Sequence, residues 1–485
     1  LVKAVMERMD WKPTQQKGTP FYKQIAEHLE RRISYGEFPA GSFLPSERTL
    51  ARELNVNRST IVAAYEELRA AGLVESIQGS GTRVSHDIWG LTKNRVPNWR
   101  HLVESGSFLP NLPLIQRIRK ETQENGLIDL ASGELSADLF PTASFQTIMA
   151  TQQFDGHLGY DHPQGHFPLR ETICEHVSSL KRIEATPDSI LITSGAQQAL
   201  HLVVQCLLKP GDAVAIEDPS YSYSLPLFQS AGLRTFLLPV EHDGINPEEI
   251  IALHRKHRIK MVFVNPTYQN PTGTTMSMEK RLRLLDISTE YGIPIVEDDP
   301  YSLITFAGQQ MPTLKSLDRH GTVLYISSLT KIVASGLRIG WVIGPQTVIQ
   351  RLADAKQQVD FGHSIFPQWI AQRFLASAEF DAHIELLTDA LHHKRDAILS
   401  ALTRHLKGQV DTQQPDGGIH LWCKVKAPVK DTPLLKEAIR AGVVYVPGNV
   451  LGSKEGYVRF TYGHAPLHLI DEAIERFSQA LQKLL

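Results

Sequence analysis

The chain has 485 residues, 42% hydrophobic and 21% charged, with a formal net charge of −2, figures ordinary for a globular protein of two to four domains able to bury a large core. No apolar run approaches the roughly 20 residues that cross a bilayer, residues 1–8 lack the apolar core of a secretory signal, and Cys174, Cys206 and Cys423 are odd in number without metal-ligand spacing. A cytoplasmic, reduced protein with no metal site and no membrane contact is therefore expected. Residues 1–85 hold 12 Lys and Arg against 10 Asp and Glu, a surplus too small to establish nucleic-acid binding, so arginine placement has to carry that case.

Tyr22, Ile25, Ala26, Leu29 and Ile33 recur at helical spacing, which predicts an amphipathic helix over residues 21–35, ended by Gly36 and Pro39. A second, short helix is expected after Pro45, capped by Ser46 and burying Leu50, Ala51 and Leu54. Asn55-Val56-Asn57 makes a turn. Asn57 is then expected to cap a third helix, with Ile61, Ala64, Tyr65 and Leu68 on one face and Gly72 as its stop. Residues 73–77 and 82–84 flank the glycine-rich Gln78-Gly79-Ser80-Gly81, the pattern of a hairpin. Three helices followed by a hairpin make a winged helix-turn-helix, whose third helix enters the major groove by its N-terminal end. Arg58, Ser59 and Thr60 then reach base edges or phosphates, Arg48 and Arg52 grip the backbone, and Gly79 and Gly81 let the wing come close to it. The competing reading is a protein-interaction domain whose arginines are merely solvated. Residues 44–51, 57–61 and 79–82 together resemble the DNA-binding domain of the GntR family of bacterial transcription regulators. The resemblance covers residues 17–85 and implies double-stranded operator DNA as a partner.

Residues 86–125 mix Trp89, Trp99, Pro97, Pro110 and Pro113 without sustained periodicity and read as a linker, with a short helix expected over residues 114–124. From residue 126 to 485, apolar β-like runs alternate with helical patterns, which predicts an α/β domain with a mostly parallel sheet and ligands at its strand ends. After the run Ser189–Thr193, the backbone N–H groups of Gly195, Ala196 and Gln197 suit an anion, although an ordinary helix cap fits as well. Past residues 213–218, Tyr221 is placed to stack on a flat heteroaromatic ring, or is simply core or surface. Asn270 follows the run 261–264 in a proline-stiffened loop and is available to a ring hydroxyl. Residues 293–296 run into Glu297-Asp298-Asp299, a costly cluster unless paired or used; one carboxylate against a pyridinium nitrogen keeps the ring an electron sink. A metal site is the alternative, without a nearby histidine or cysteine to favour it. The run Thr322–Ile326 ends in Ser327 and Ser328, and then presents Lys331. Desolvation there suits a neutral amine able to form a Schiff base with an aldehyde. The hydroxyls of Ser327, Ser328 and Thr330 with Arg338 suit a phosphate beside it, which together describe pyridoxal phosphate; an exposed loop lysine is the bland alternative. Arg459, within a late strand, matches a carboxylate or a partner inside the protein.

The ordered set resembles the fold-type I aminotransferases of the aspartate aminotransferase family over residues 126–485. The resemblance implies a large domain with a smaller C-terminal subdomain, and Lys331 as the lysine of the internal aldimine. It places Asp298 on the pyridine nitrogen, in preference to Asp299 because Tyr301 lies three residues beyond it, with Tyr301 and Asn270 on the ring 3′-oxygen. Tyr221 becomes the stacking aromatic, Gly195, Ala196, Gln197, Ser328 and Arg338 the phosphate cup, and Arg459 the binder of an α-carboxylate. Tyr160 matches a tyrosine that reaches the neighbouring subunit's cofactor, which implies a homodimer. A GntR-type head on such a domain resembles the MocR subfamily of regulators. That resemblance implies a head-to-tail, domain-swapped dimer and a sensor of pyridoxal phosphate or an amino-acid-like effector through aldimine chemistry at Lys331. The alternative is a working aminotransferase that carries a DNA-binding head.

Overall fold

Ile25, Leu29 and Ile33 point inward from α1 (Phe21–Ser34), where they meet Leu50 and Leu54 of α2 (Glu47–Leu54) and Ile61, Tyr65 and Leu68 of α3 (Arg58–Ala70). The computed structural model describes residues 11–14, 19–86, 105–122, 126–151, 159–306, 308, 310–452 and 454–485, and the chain divides into two compact units, residues 1–107 and 108–485. Trp89, Pro97 and Trp99 of the expected linker lie outside the described residues.

In the smaller unit the Ser46 hydroxyl accepts from the Thr49 N–H and starts α2, as its position predicts. Asn55 takes the left-handed conformation that ends α2. Asn57 occupies the cap position of α3 but makes no side-chain cap hydrogen bond, so only its extended backbone starts the helix. The Tyr65 hydroxyl, carried into the core, donates to the Pro45 carbonyl 2.7 Å away and ties α3 to the start of α2. Strands β1 (Val74–Ile77) and β2 (Gly81–Val84) pair antiparallel. Gly79 turns between them at φ +77°, a conformation that a Cβ disfavours. This is the winged helix-turn-helix that the spacing predicts.

The larger unit opens with the helix Pro113–Thr122 and β3 (Ile128–Asp129). Eight further strands follow: β4 (Ile190–Thr193), β5 (Ala213–Asp218), β6 (Arg234–Glu241), β7 (Gly244–Ile245), β8 (Ile259–Val264), β9 (Ile295–Asp298), β10 (Val323–Ser328) and β11 (Gly340–Ile343). They form one sheet in the order β4-β11-β10-β9-β8-β5-β6-β7, in which β11 and β7 run against the rest. Side chains alternate between its faces: Ile190, Ile192, Tyr325 and Trp341 enter one core, Leu191, Leu324, Ile326 and Val342 another. Burial on both faces explains why these strands read as unbroken apolar runs. A smaller antiparallel sheet holds β12 (Val410–Thr412), β13 (His420–Val425), β15 (Val446–Pro447) and β16 (Tyr457–Thr461), while β14 (Val443–Val444) pairs with β3. The helices Ala378–Leu406 and Ile470–Gln482 share its core. Among the described residues no helix is long and apolar enough to cross a membrane.

Candidate functional site

Parallel strands that switch from backbone pairing to loops at one sheet edge leave their terminal side chains facing a common space. Here a cavity of about 630 Å³ opens at the carboxyl ends of β5, β8, β9 and β10, bounded by the start of the helix Ala196–Leu207, by β16 and by the helix Pro113–Thr122.

The three carboxylates that end β9 meet three different fates. Glu297 accepts the N–H groups of Leu314 and Lys315, each at 2.8 Å, and burial with the nearby Asp299 charge pushes it up to about 7. Asp299 is ion-paired to the Lys181 ammonium at 2.6 Å and accepts the Ser302 and Tyr325 hydroxyls. Burial works against its charge, but these partners hold it below the usual carboxylate range. Asp298 faces the cavity with a buried Oδ1 that has no hydrogen-bond partner. Burial first, and then Asp299, push it up to about 7, against the pull of Lys331. Asp299 is thus already committed, and Asp298 is the carboxylate left to meet a ligand.

Lys331 follows β10 and lines the same cavity, its amine donating to the Gly133 carbonyl. Burial brings the amine down to about 8; Glu134 and Asp298 favour its charge, Arg459 and Arg338 oppose it. Arg459 reaches in from β16 and donates to Asn270 Oδ1 at 3.0 Å and to the Ala131 carbonyl at 2.7 Å. Its buried Nε is without a partner, and burial brings the guanidinium down to about 10. Asn270 ties several strand ends together: its N–H donates to Asn265 Oδ1, whose amide in turn donates to the Asp298 carbonyl. The Tyr221 N–H donates to the Asn270 carbonyl. Tyr301 is buried and lies 2.9 Å from His420 Nε2, while His420 Nδ1 lies 3.0 Å from Thr461 Oγ1. Burial, with Arg459 and Lys331 nearby, keeps His420 neutral, well below its usual range.

At the other end, Ala196 and Gln197 present the N-terminus of a twelve-residue helix beside Ser328, Thr330, Ser335 and Arg338. Gly195 takes φ +84°, and a Cβ there would lie 2.7 Å from an Arg338 nitrogen that donates to the Ser194 carbonyl. Only a residue without a side chain lets the guanidinium sit against the helix start.

Lys331, Asp298, Tyr301, Asn270, Tyr221, Ala196, Gln197, Ser328, Arg338 and Arg459 all line this one cavity, with Gly195 directly behind it. Ser327 does not join them: its hydroxyl turns away and donates to the Asp299 carbonyl at 2.8 Å. Tyr160 stands outside the cavity of its own chain, 76% exposed and edge-on to Phe361. His420, Glu134, Gly133 and the helix Pro113–Thr122 belong to the site without having been expected there. They arrive from elements distant in sequence, and no local spacing marks them. In the smaller unit, Arg48, Arg52, Arg58 and Ser59 are exposed and Thr60 is half-buried, with Gly79 and Gly81 exposed on the wing. Arg58 is held by Glu47 through two hydrogen bonds of 2.7 and 3.0 Å. Arg83 pairs with Glu75 across the hairpin.

A partnerless buried carboxylate, a desolvated amine and an anion-binding helix start surround one space, and this donor set fits pyridoxal phosphate. The sequence profile of aminotransferase class I and II matches residues 125–477, and that of the gntR family of bacterial regulatory proteins matches residues 21–84. The HTH-type transcriptional regulator YdfD of Bacillus subtilis is 37% identical over 471 residues, covering 96% of this chain and 98% of its own. NorG, an HTH-type transcriptional regulator of Staphylococcus aureus, is 30% identical over 447 residues, covering 91% of this chain and 98% of its own. Among solved structures, kynurenine aminotransferase of Pyrococcus horikoshii is 30% identical with a TM-score of 0.74, covering 78% of this chain and 96% of that one. The multiple substrate aminotransferase of Thermococcus profundus is 28% identical with a TM-score of 0.75, covering 80% and 99%. The chain belongs to the GntR/MocR-type regulators, in which a DNA-binding helix-turn-helix head is fused to a fold-type I, pyridoxal-phosphate aminotransferase-like domain.

Proposed function

We propose that this chain regulates transcription by sensing pyridoxal phosphate, an amino-acid-like effector, or both, through covalent chemistry at the Lys331 amine. The observation that carries this reading is the partnerless Asp298 Oδ1 facing the same cavity as the desolvated Lys331. Pyridoxal phosphate supplies, when bound, an aldehyde that condenses with primary amines and a ring that accepts electrons. Lys331 supplies the amine, and Asp298 holds a proton toward the ring nitrogen. Tyr301 and Asn270 hydrogen-bond the ring oxygen, and Tyr221 covers a ring face. The N–H groups of Gly195, Ala196 and Gln197, the Ser328 hydroxyl and Arg338 hold the phosphate. Arg459 takes an effector's carboxylate, which its partnerless Nε supports.

In the head, Arg58, Ser59 and Thr60 read an operator while Arg48, Arg52 and the Gly79–Gly81 wing hold its backbone. An effector changes operator affinity only as far as it prefers one conformation of the regulator. The exposed Tyr160 supports a head-to-tail homodimer in which it reaches the partner's phosphate; light scattering tests the stoichiometry. The deciding experiment footprints the protein upstream of its own gene, with and without pyridoxal phosphate and a panel of amino acids. A footprint indifferent to every addition would refute the sensor. A second reading, turnover as an aminotransferase, is favoured by Lys331, whose amine near neutrality suits proton transfer. Single-turnover assays with amino acids and a keto acid separate the two.

A further inference from the structure

The helix Pro113–Thr122 falls within the stretch that composition marks as a linker, yet it forms a wall of the cavity. Ile118 is buried in the main core of the larger unit, with Leu114 and Ile115 packed against the same core. One turn of this helix carries two arginines with different tasks. Arg117 lies 3.5 Å from Glu121 in an i,i+4 pair. Arg119 lines the cavity with Ile115, Ile118 and Thr122 from an exposed position, its guanidinium open to solvent and in no ion pair among the described residues. Its charge is felt at Tyr221: burial pushes that phenol up and Asp298 adds to the push, while Arg119, Arg459 and Arg338 pull against it. The three guanidinium groups therefore act on one aromatic ring from one cavity.

Resting on the proposed function, Arg338 belongs to the phosphate and Arg459 to an effector's α-carboxylate, which leaves Arg119 without an assignment. We infer that Arg119 is a specificity-determining residue that receives a second carboxylate, so the effector is an amino acid with an acidic side chain. A guanidinium that awaits a partner distinguishes a carboxylate from its isosteric amide, because charge-assisted hydrogen bonds are roughly twice as strong as neutral ones. The helix has a single turn or two of core contact, so an acid that engages Arg119 also fastens the segment through which the chain leaves the residue-107 boundary.

The test uses full-length protein loaded with pyridoxal phosphate and the probes L-glutamate, L-glutamine, L-aspartate and L-asparagine, with binding measured by calorimetry. The expected result is that at least one acid binds about tenfold to a hundredfold tighter than its amide. Arg119→Gln should erase that preference by weakening the acid far more than the amide, and Arg119→Lys should restore part of it. Hydrogen exchange should show the acid, and not its amide, slowing the amides of residues 113–122. Equal binding of acid and amide by the unaltered protein, or a preference that survives Arg119→Gln, overturns the inference and leaves the cavity assignment standing. Failure of all four amino acids to bind to the loaded protein overturns the inference alone, whereas failure of the protein to take up pyridoxal phosphate overturns the cavity assignment beneath it.

Discussion

In the head, Arg48, Arg52 and Arg58 stand exposed on helices whose buried faces carry apolar side chains and Tyr65. In the larger unit, Asp298, Lys331 and Arg459 are drawn out of water and set against one another. Exposed charge binds through numbers and placement, is screened by salt and leaves ionisation to the solvent. Desolvated charge changes the acidity of each group and makes it reactive. The two regions therefore answer to different perturbations: ionic strength for one, pH and single-atom substitution for the other.

The sharpest break in that contrast comes from Lys331→Ala. It should eliminate the covalent pyridoxyl adduct that borohydride reduction leaves on the protein, read by mass spectrometry, with no change in head folding. In the unaltered protein, capture of pyridoxal phosphate should speed up as pH rises and level off above about 8, where the amine is neutral. One unit below that value, the rate should fall about tenfold, in proportion to the neutral amine.

Asp298→Asn should weaken cofactor retention by about tenfold or more, since an amide cannot neutralise a pyridinium. Its effect on the cofactor-free protein has the opposite sign. Because the folded-state value is raised from 3.8 to about 7, the contribution of Asp298 to stability is fully present below about pH 4 and is lost as pH climbs toward 7. Asp298→Asn should therefore flatten the decline in apoprotein melting temperature across that window. Melting curves that fall equally steeply for both proteins would show that this carboxylate is not held protonated.

Arg58→Ala tests the exposed side. It should weaken operator binding about tenfold to a hundredfold and lower the salt dependence by about one counterion, leaving the cofactor adduct intact. The smallest effect belongs to the caps. Ser46→Ala should cost about 1 kcal/mol of head stability in urea unfolding, whereas Asn57→Ala, at a cap with no side-chain bond, should cost only a few tenths.

What the chain discloses before folding is local. The spacing of Ile25, Leu29 and Ile33, the serine ahead of α2 and the glycines of the wing each act within a turn or a hairpin, so a short window holds their whole signal. The strand ends that carry Tyr221, Asn270, Asp298 and Lys331 are similarly marked by apolar runs breaking into polar residues. Three other features depend on closure of the whole sheet. Lys181 neutralises Asp299 across 118 positions, and His420 backs Tyr301 across 119. Arg119 reaches the cavity from a segment whose sequence predicts a short helix, as found, but not what that helix faces. Motif spacing prefers Asp298 to Asp299 only through a resemblance; that Lys181 already pairs with Asp299 exists only in three dimensions.

The clasp between Glu47 and Arg58 joins two helices of the head before any duplex arrives. A nucleic-acid oxygen that recruits Nε and Nη2 of this guanidinium competes with the carboxylate that already holds them, so the head carries its own competitor. Random sequence, offering one weak contact at a time, loses that contest more often than a site that engages several groups together. Severing the clasp from the glutamate side would make a stickier reader and a poorer judge.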